Sequence, residues 1–233
     1  MDFFVFTYVL FAKPFAIQFA YFLAVTACFF TAFEVFPLFL GFPNTIRKNV
    51  TDMLRFHVLR TAVLMVFAIA LQITFAFFRL NKGFIGITGF PVAAQVLVIY
   101  LCSEFFIYMF HFFSHTYKVP LLSKTHAFHH SISSDMDWIN SKKEHYLVLC
   151  LFVCVFSLFF FVVFRASKEA RLIAASLYIF FTTFSHFRIP LSVRYLDKIF
   201  LFPKDHLRHH TKRGGPYGIT LSLFDTLFGT RGE

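Results

Sequence analysis

Histidine binds transition metals through a neutral ring nitrogen, and this sequence arranges its histidines in a pattern suited to that chemistry. His126-Ala-Phe-His129-His130 and His206-Leu-Arg-His209-His210 share the spacing H-x-x-H-H. On a helix this gives two rings at i and i+4 and a third displaced by about 100° that can reach a second ion. With 11 histidines in 233 residues, a given one is followed by this pattern by chance roughly twice in a thousand, so two copies are signal. His111-Phe-Phe-Ser-His115 adds a further i, i+4 pair, and His145 and His186 stand singly between the motifs. A structural zinc takes four ligands and a catalytic zinc three plus water, so ten imidazoles call for two ions with four or five histidines each. Imidazole suits zinc, copper, nickel and iron alike, so spacing supports a dinuclear site without choosing the metal.

Neutral imidazoles leave the charge of the ions uncompensated, which makes nearby carboxylates candidates for holding ring NH groups and moderating the field. Glu104, Tyr108, His111 and His115 are spaced 4, 3 and 4, one helical stripe. A carboxylate inside an apolar run is otherwise expensive, so Glu104 is the leading candidate, with Asp205 beside His206 and Glu144 beside His145 behind it. His57, in a basic loop after Arg55, reads as structural.

The elements that must carry these residues are apolar. Hydrophobic residues make up 58% of the chain and charged ones 15%, beyond the usual range of a soluble domain. Runs long enough to cross a bilayer extend over Phe15–Phe36, Thr61–Phe78, Pro91–Phe110 and Tyr146–Phe164. A shorter fifth run, Leu172–Phe184, is expected to pair with the fourth as a hairpin turned at Arg165–Arg171. The fold class expected is all-α: a multi-pass transmembrane helical bundle of four to five spans with a cytoplasmic histidine-rich helical cap. Residues 1–90 would supply N-terminal transmembrane helices and 91–233 the catalytic domain. Five crossings would put 16 of the 22 Lys and Arg on one side, which the positive-inside tendency makes cytoplasmic. The ten motif histidines fall on that same side.

The net charge of +10 forms no dense basic stripe, so anionic lipid headgroups are the expected partner and nucleic acid is not. Cys28, Cys102, Cys150 and Cys154 lie in apolar runs and read as packing residues. Forty phenylalanines suit acyl chains and helix packing and carry no catalytic weight here. No removed signal peptide is expected from the opening residues.

At Glu104–Ser131 the sequence resembles the fatty acid hydroxylase and sterol desaturase superfamily: an acidic residue, Tyr, H-x-x-x-H and H-x-x-H-H-S. Asn140, Lys143 and His145 resemble its N-x-x-R-x-H. His186 resembles its isolated histidine, Pro203–His210 its P-x-x-H-x-x-H-H, and Tyr217-Gly218 with Asp225–Thr230 its closing Y-G and D-x-L-F-G-T. Met109, Phe112, Lys143 and Tyr146 depart from its usual residues without touching a ligand position. The resemblance covers about 130 residues.

It implies a non-haem di-iron centre held by His111, His115, His126, His129, His130, His145, His186, His206, His209 and His210, with Glu104 and Tyr108 supporting it. The implied reaction uses O2 to hydroxylate or desaturate a membrane lipid. Sterol, fatty acid, ceramide and ether lipid all fit. Electrons would come from outside, since the chain has neither a G-x-G-x-x-G fingerprint nor a C-x-x-C-H haem site. The implied donor is a cytochrome b-type protein, or a ferredoxin with its reductase. The endoplasmic reticulum and the bacterial inner membrane both suit such an enzyme. Tyr217, Asp225 and Phe228–Thr230 are as well suited to packing under the metal site as to touching substrate. Two rivals are a zinc-dependent membrane hydrolase, for which H-E-x-x-H and G-x-S-x-G are lacking, and a metal transporter or sensor, for which ligands would sit at mid-span. A scaffold that had lost its chemistry would be missing ligands.

Overall fold

Punctuation in the sequence sets the helix starts. The computed structural model describes residues 83–117, 120–131, 146–187, 189–212 and 214–232, with 31–40 and scattered positions between Cys28 and Phe78. Pro91 opens α1, Val92–Thr116, where its missing NH would have no helical partner anyway. Ser167 opens α4, Lys168–Ser185, its hydroxyl accepting the amide NH of Ala170 at 3.1 Å. Glu169 lies in that first turn, where its charge suits the helix dipole. Between them α3, Tyr146–Ser157, continues through a π-helical turn, Leu158–Val163. The short helices α2, Pro120–His130, α5, Pro203–Lys212, and α6, Leu223–Phe228, complete the set used below.

α1 and α4 run in the same direction, with α3 returning between them. At one end the Gln95 amide donates to the Phe90 carbonyl at 2.8 Å and accepts the Ser167 NH at 2.8 Å, tying the starts of α1 and α4 together. A two-residue parallel pair, β1 (Ile85–Gly86) with β2 (Phe164–Arg165), closes the same end. At the other end α1 finishes with His111 and His115, and α4 finishes at His186.

Ala170, Ala174 and Ala175 are buried in the core, with Ile99, Ile107 and Phe156, and let α4 lie close to its neighbours. The Tyr178 ring sits 4.5 Å from Phe156 and 5.8 Å from Tyr100, joining all three helices. Among the described residues α1 is the one helix long and apolar enough to cross a membrane. Its 25 residues extend about 37 Å against about 30 Å of hydrocarbon.

Expectation and structure differ in three places. The predicted hairpin turn over Arg165–Arg171 is shorter than expected, because Lys168–Arg171 already form the first turn of α4 behind the Ser167 cap. α1 runs on to Thr116, past the hydropathy limit at Phe110, since its last turns carry histidines instead of apolar residues. The protein is mainly helical, with β1 and β2 as a minor addition. The predicted span Thr61–Phe78 is described only at scattered positions, and most of Phe15–Phe36 lies outside the described residues.

The packing makes a stability prediction. Ala174 has no exposed surface, so Ala174→Leu forces extra volume between α1 and α4 and is expected to cost about 1–3 kcal/mol. Leu177→Ala, at a 39% exposed position on the same helix, is expected to cost far less. Thermal unfolding of both variants in detergent checks this.

Candidate metal centre

Four elements bring nine histidines together. His111 and His115 come from the last turns of α1, His126, His129 and His130 from α2, His186 from the end of α4, and His206, His209 and His210 from α5. They divide into two groups. His111, His115, His126, His130 and His209 form one, and His129, His186, His206 and His210 the other, with the ligand atoms of each group within 4.8 Å of one another. The H-x-x-H-H spacing produces this division. In α2 the i, i+4 pair His126 and His130 enters the first group while His129 turns to the second; in α5 the pair His206 and His210 enters the second while His209 turns to the first.

The nitrogens within each group are closely spaced. In the first, Nε2 of His115 lies 3.0 Å from that of His126 and 3.1 Å from that of His130, and Nε2 of His130 lies 3.1 Å from that of His209. In the second, Nε2 of His206 lies 2.8 Å from that of His186 and 3.2 Å from that of His210. Backbone carbonyls settle which nitrogen carries the proton for three of the rings. Nδ1–H of His111 donates to the Tyr217 carbonyl at 2.7 Å, that of His209 to Gly214 at 2.6 Å, and that of His186 to Thr182 at 2.8 Å. Their Nε2 atoms therefore present lone pairs, and Nε2 of His111 is buried with no hydrogen-bond partner.

Lone pairs gathered at this distance repel unless a cation lies among them. Nitrogens held about 2.1 Å from one ion stand about 3.0 Å apart at right angles, so the residues present fit a metal ion in each group. Electrostatics favours the neutral, ligating form. Burial first, then the neighbouring imidazoles, lowers His126 to about 2 and holds His129, His206, His209 and His210 far below the ordinary histidine value.

Two buried carboxylates, from α1 and α6, hold the segment that supplies the Tyr217 carbonyl. The helical stripe in the sequence predicts that Glu104 holds an imidazole NH. Instead its Oε1 accepts the backbone NH groups of Ile219, Thr220 and Leu221 at 3.0, 2.8 and 3.0 Å, and its Oε2 accepts the Thr220 hydroxyl at 2.8 Å. Asp225 takes the NH of Tyr217 at 2.7 Å and of Gly218 at 2.8 Å. The Thr230 hydroxyl donates to Asp225 at 2.8 Å and in turn lies 2.9 Å from the Tyr108 hydroxyl. Tyr108 therefore supports the C-terminal segment, as Glu104 does. A Cβ on Gly218 would lie 2.2 Å from the Leu221 carbonyl oxygen and 2.8 Å from Asp225, so only glycine fits between them. Asp205 faces Arg208 at 3.8 Å, while Glu144 and His145 lie outside the described residues.

This constellation falls within a recognised segment: the family model described as "Fatty acid hydroxylase" matches residues 96–230. The chain belongs to the fatty acid hydroxylase family. No match was found among curated proteins or solved structures. The fatty acid hydroxylase match begins inside α1 and ends at Thr230, so all nine histidines, both carboxylates and Tyr108 lie within it. Membership makes the protein an oxidoreductase of the hydroxylase type, and its histidine groups are able to hold metal. The carbonyls of Gly214, Thr182 and Tyr217 are functional groups that sequence reasoning misses, and only the Tyr217-Gly218 and Asp225–Thr230 motifs hint at them.

Asp225→Asn replaces one acceptor oxygen with an NH2 group, so the side chain can no longer accept from Tyr217, Gly218 and Thr230 together, and the carbonyl that orients His111 loosens. Metal titration is expected to show about 10–100-fold weaker binding at the five-histidine group and a smaller change at the four-histidine group. A pH dependence is expected as well. For the metal-free protein, the unfolded chain binds protons at these histidines below about pH 6.5 whereas the folded chain does not. Stability is therefore full above that pH and falls as pH drops, so chelated protein should unfold at lower temperature at about pH 5.5 than at about pH 7.5.

Proposed function

We propose that the protein is an integral-membrane di-iron oxygenase that hydroxylates or desaturates a lipid of the sterol or fatty-acyl type, using O2 and electrons from outside the chain. The carrying observation is the division of nine buried or half-buried imidazoles into groups of five and four inside the fatty acid hydroxylase segment. His111, His115, His126, His130 and His209 would hold one ion and His129, His186, His206 and His210 the other, with His145 a tenth candidate. When bound, iron would supply O2 activation and attack on an unactivated carbon–hydrogen bond.

The chain's own residues do the rest. The Tyr217, Gly214 and Thr182 carbonyls keep three rings in the ligating tautomer. Burial of the histidines keeps bulk water from competing for the ions. The apolar α1 and the hydropathy of residues 15–36 and 61–78 support a multi-pass protein whose lipid substrate arrives sideways from the bilayer. The lysine and arginine distribution supports a cytoplasmic metal site. That basic face suits an acidic electron carrier, either a cytochrome b-type protein or a ferredoxin with its reductase.

Elemental analysis of protein purified in mild detergent, without chelators or a histidine-rich tag, tests the reading. About two irons per chain are expected, followed by O2-dependent turnover of a lipid; stoichiometric zinc would instead favour a hydrolase. His129→Ala and His209→Ala are each expected to abolish full metal loading and turnover while the protein still inserts in membranes, and His57→Ala to retain both. A fully active His129→Ala enzyme would refute the ligand assignment.

A further inference from the structure

The C-terminal segment that Glu104 and Asp225 hold has a second side, and that side is apolar. Tyr195, Leu196 and Ile199 are 65%, 46% and 54% exposed, and Leu227 and Phe228 are 66% and 55% exposed. The two stretches lie side by side. The Ser222 NH donates to the Ile199 carbonyl at 2.9 Å, Phe200 and Leu221 form an antiparallel bridge, and the Leu201 NH donates to Thr220 at 2.9 Å.

The backbone beneath this surface is irregular, and its polar groups turn inward. Five successive NH groups, from Tyr217 to Leu221, are taken by the Asp225 and Glu104 carboxylates instead of being left for solvent. Such internal satisfaction is what a non-helical backbone requires where water is scarce, as in a bilayer. The patch also has a basic rim. The Arg194 guanidinium lies 5.1 Å and the Lys198 ammonium 5.9 Å from the centre of the Tyr195 ring. Tyr195 itself is held at φ 76°, a left-handed conformation that tyrosine rarely adopts. Leucine and phenylalanine beside tyrosine and basic side chains is the composition of surfaces that lie in a membrane interface. The patch also adjoins the apolar helix: Phe224 packs 5.3 Å from Phe105 and Phe228 5.5 Å from Tyr108, within two turns of His111, where α1 nears the end of its apolar run.

We propose that residues 195–199 and 222–228 form a foot that inserts into the bilayer interface, with Leu196, Ile199, Leu227 and Phe228 among acyl chains and Arg194 and Lys198 at anionic phospholipid headgroups. This rests on the reading that α1 lies in the membrane. The foot joins the leaflet to the segment whose Tyr217 carbonyl orients His111, so the metal centre is held at a fixed height above the lipid.

The test uses the full chain in phosphatidylcholine vesicles, with and without phosphatidylserine, with Trp138→Phe removing the native tryptophan. Leu227→Trp reports the foot and Leu97→Trp, at a 58% exposed position of α1, serves as reference. Acyl-brominated phospholipid is expected to quench both, with aqueous iodide quenching Leu227→Trp several-fold less than free tryptophan. Arg194→Gln with Lys198→Gln is expected to abolish any gain in Leu227→Trp quenching that phosphatidylserine brings. Iodide quenching of Leu227→Trp without bromine quenching would overturn the foot, and so would quenching by neither, which would mean that another part of the protein or a second copy covers it. If Leu97→Trp also escapes bromine, the membrane reading itself fails. Should Trp138→Phe fail to load metal, a spin label at Leu227→Cys, read by dioxygen against a water-soluble nickel chelate, replaces the fluorescence.

Discussion

The structure is organised around one electrostatic constraint: nine imidazoles must be brought together uncharged, with ring nitrogens facing one another at about the spacing a metal ion imposes. A protonated ring in either group would have no lone pair left to offer an ion, and a ring free to rotate would lose its aim. Burial addresses the first difficulty by penalising the charged form. Backbone carbonyls address the second, because a carbonyl can only accept and so obliges Nδ1 to keep its proton. For His186 that carbonyl lies one turn back in its own helix, at Thr182, whereas for His111 it comes from Tyr217, 106 residues away in sequence.

The distant carbonyl has to be anchored in turn. Glu104 and Asp225 do this by accepting five successive amide NH groups, from Tyr217 to Leu221. A hydrogen bond to a charged group contributes about 1.5–3 kcal/mol, and a buried carboxylate stripped of its donors is strongly destabilising, so the clamp holds as a unit. Glu104 sits seven residues before His111, two helical turns, so the helix that presents His111 also grips the segment that orients it. Tyr108, between them, reaches Thr230 and through it Asp225, which links the two carboxylates into one support.

The histidine clusters are legible in the sequence because helical spacing determines which rings share a face. H-x-x-H-H states its own geometry, and α2 and α5 realise it. Glu104 stands out there too, as a carboxylate too expensive to bury without a purpose. Its partners are not legible, because Ile219–Leu221 lie 115 to 117 positions away and engage through main-chain amides that nearly every residue possesses. Hydropathy locates α1 but ends it too early, since the turns that leave the apolar run are the ones that carry His111 and His115. For α4 the opposite holds: the charges of Lys168, Glu169 and Arg171 disguise a first turn that the Ser167 cap directs.

The crossed membership of the histidines determines how the two groups relate. Each H-x-x-H-H helix gives two rings to one group and one to the other, so neither group can shift along α2 or α5 without disturbing its neighbour. His129 and His130 are consecutive residues serving different groups, as are His209 and His210, and the rings of His130 and His210 stack across the boundary at 4.5 Å. Separation between the groups is therefore fixed by adjacent positions on rigid helices, not by loops that could lengthen or relax. α1 and α4 act differently, since α1 supplies the first group alone and α4 the second alone. Both helices pack into one core in which Ala170 and Ala174 are buried, so the spacing of that core bears on how far the α1 histidines stand from His186.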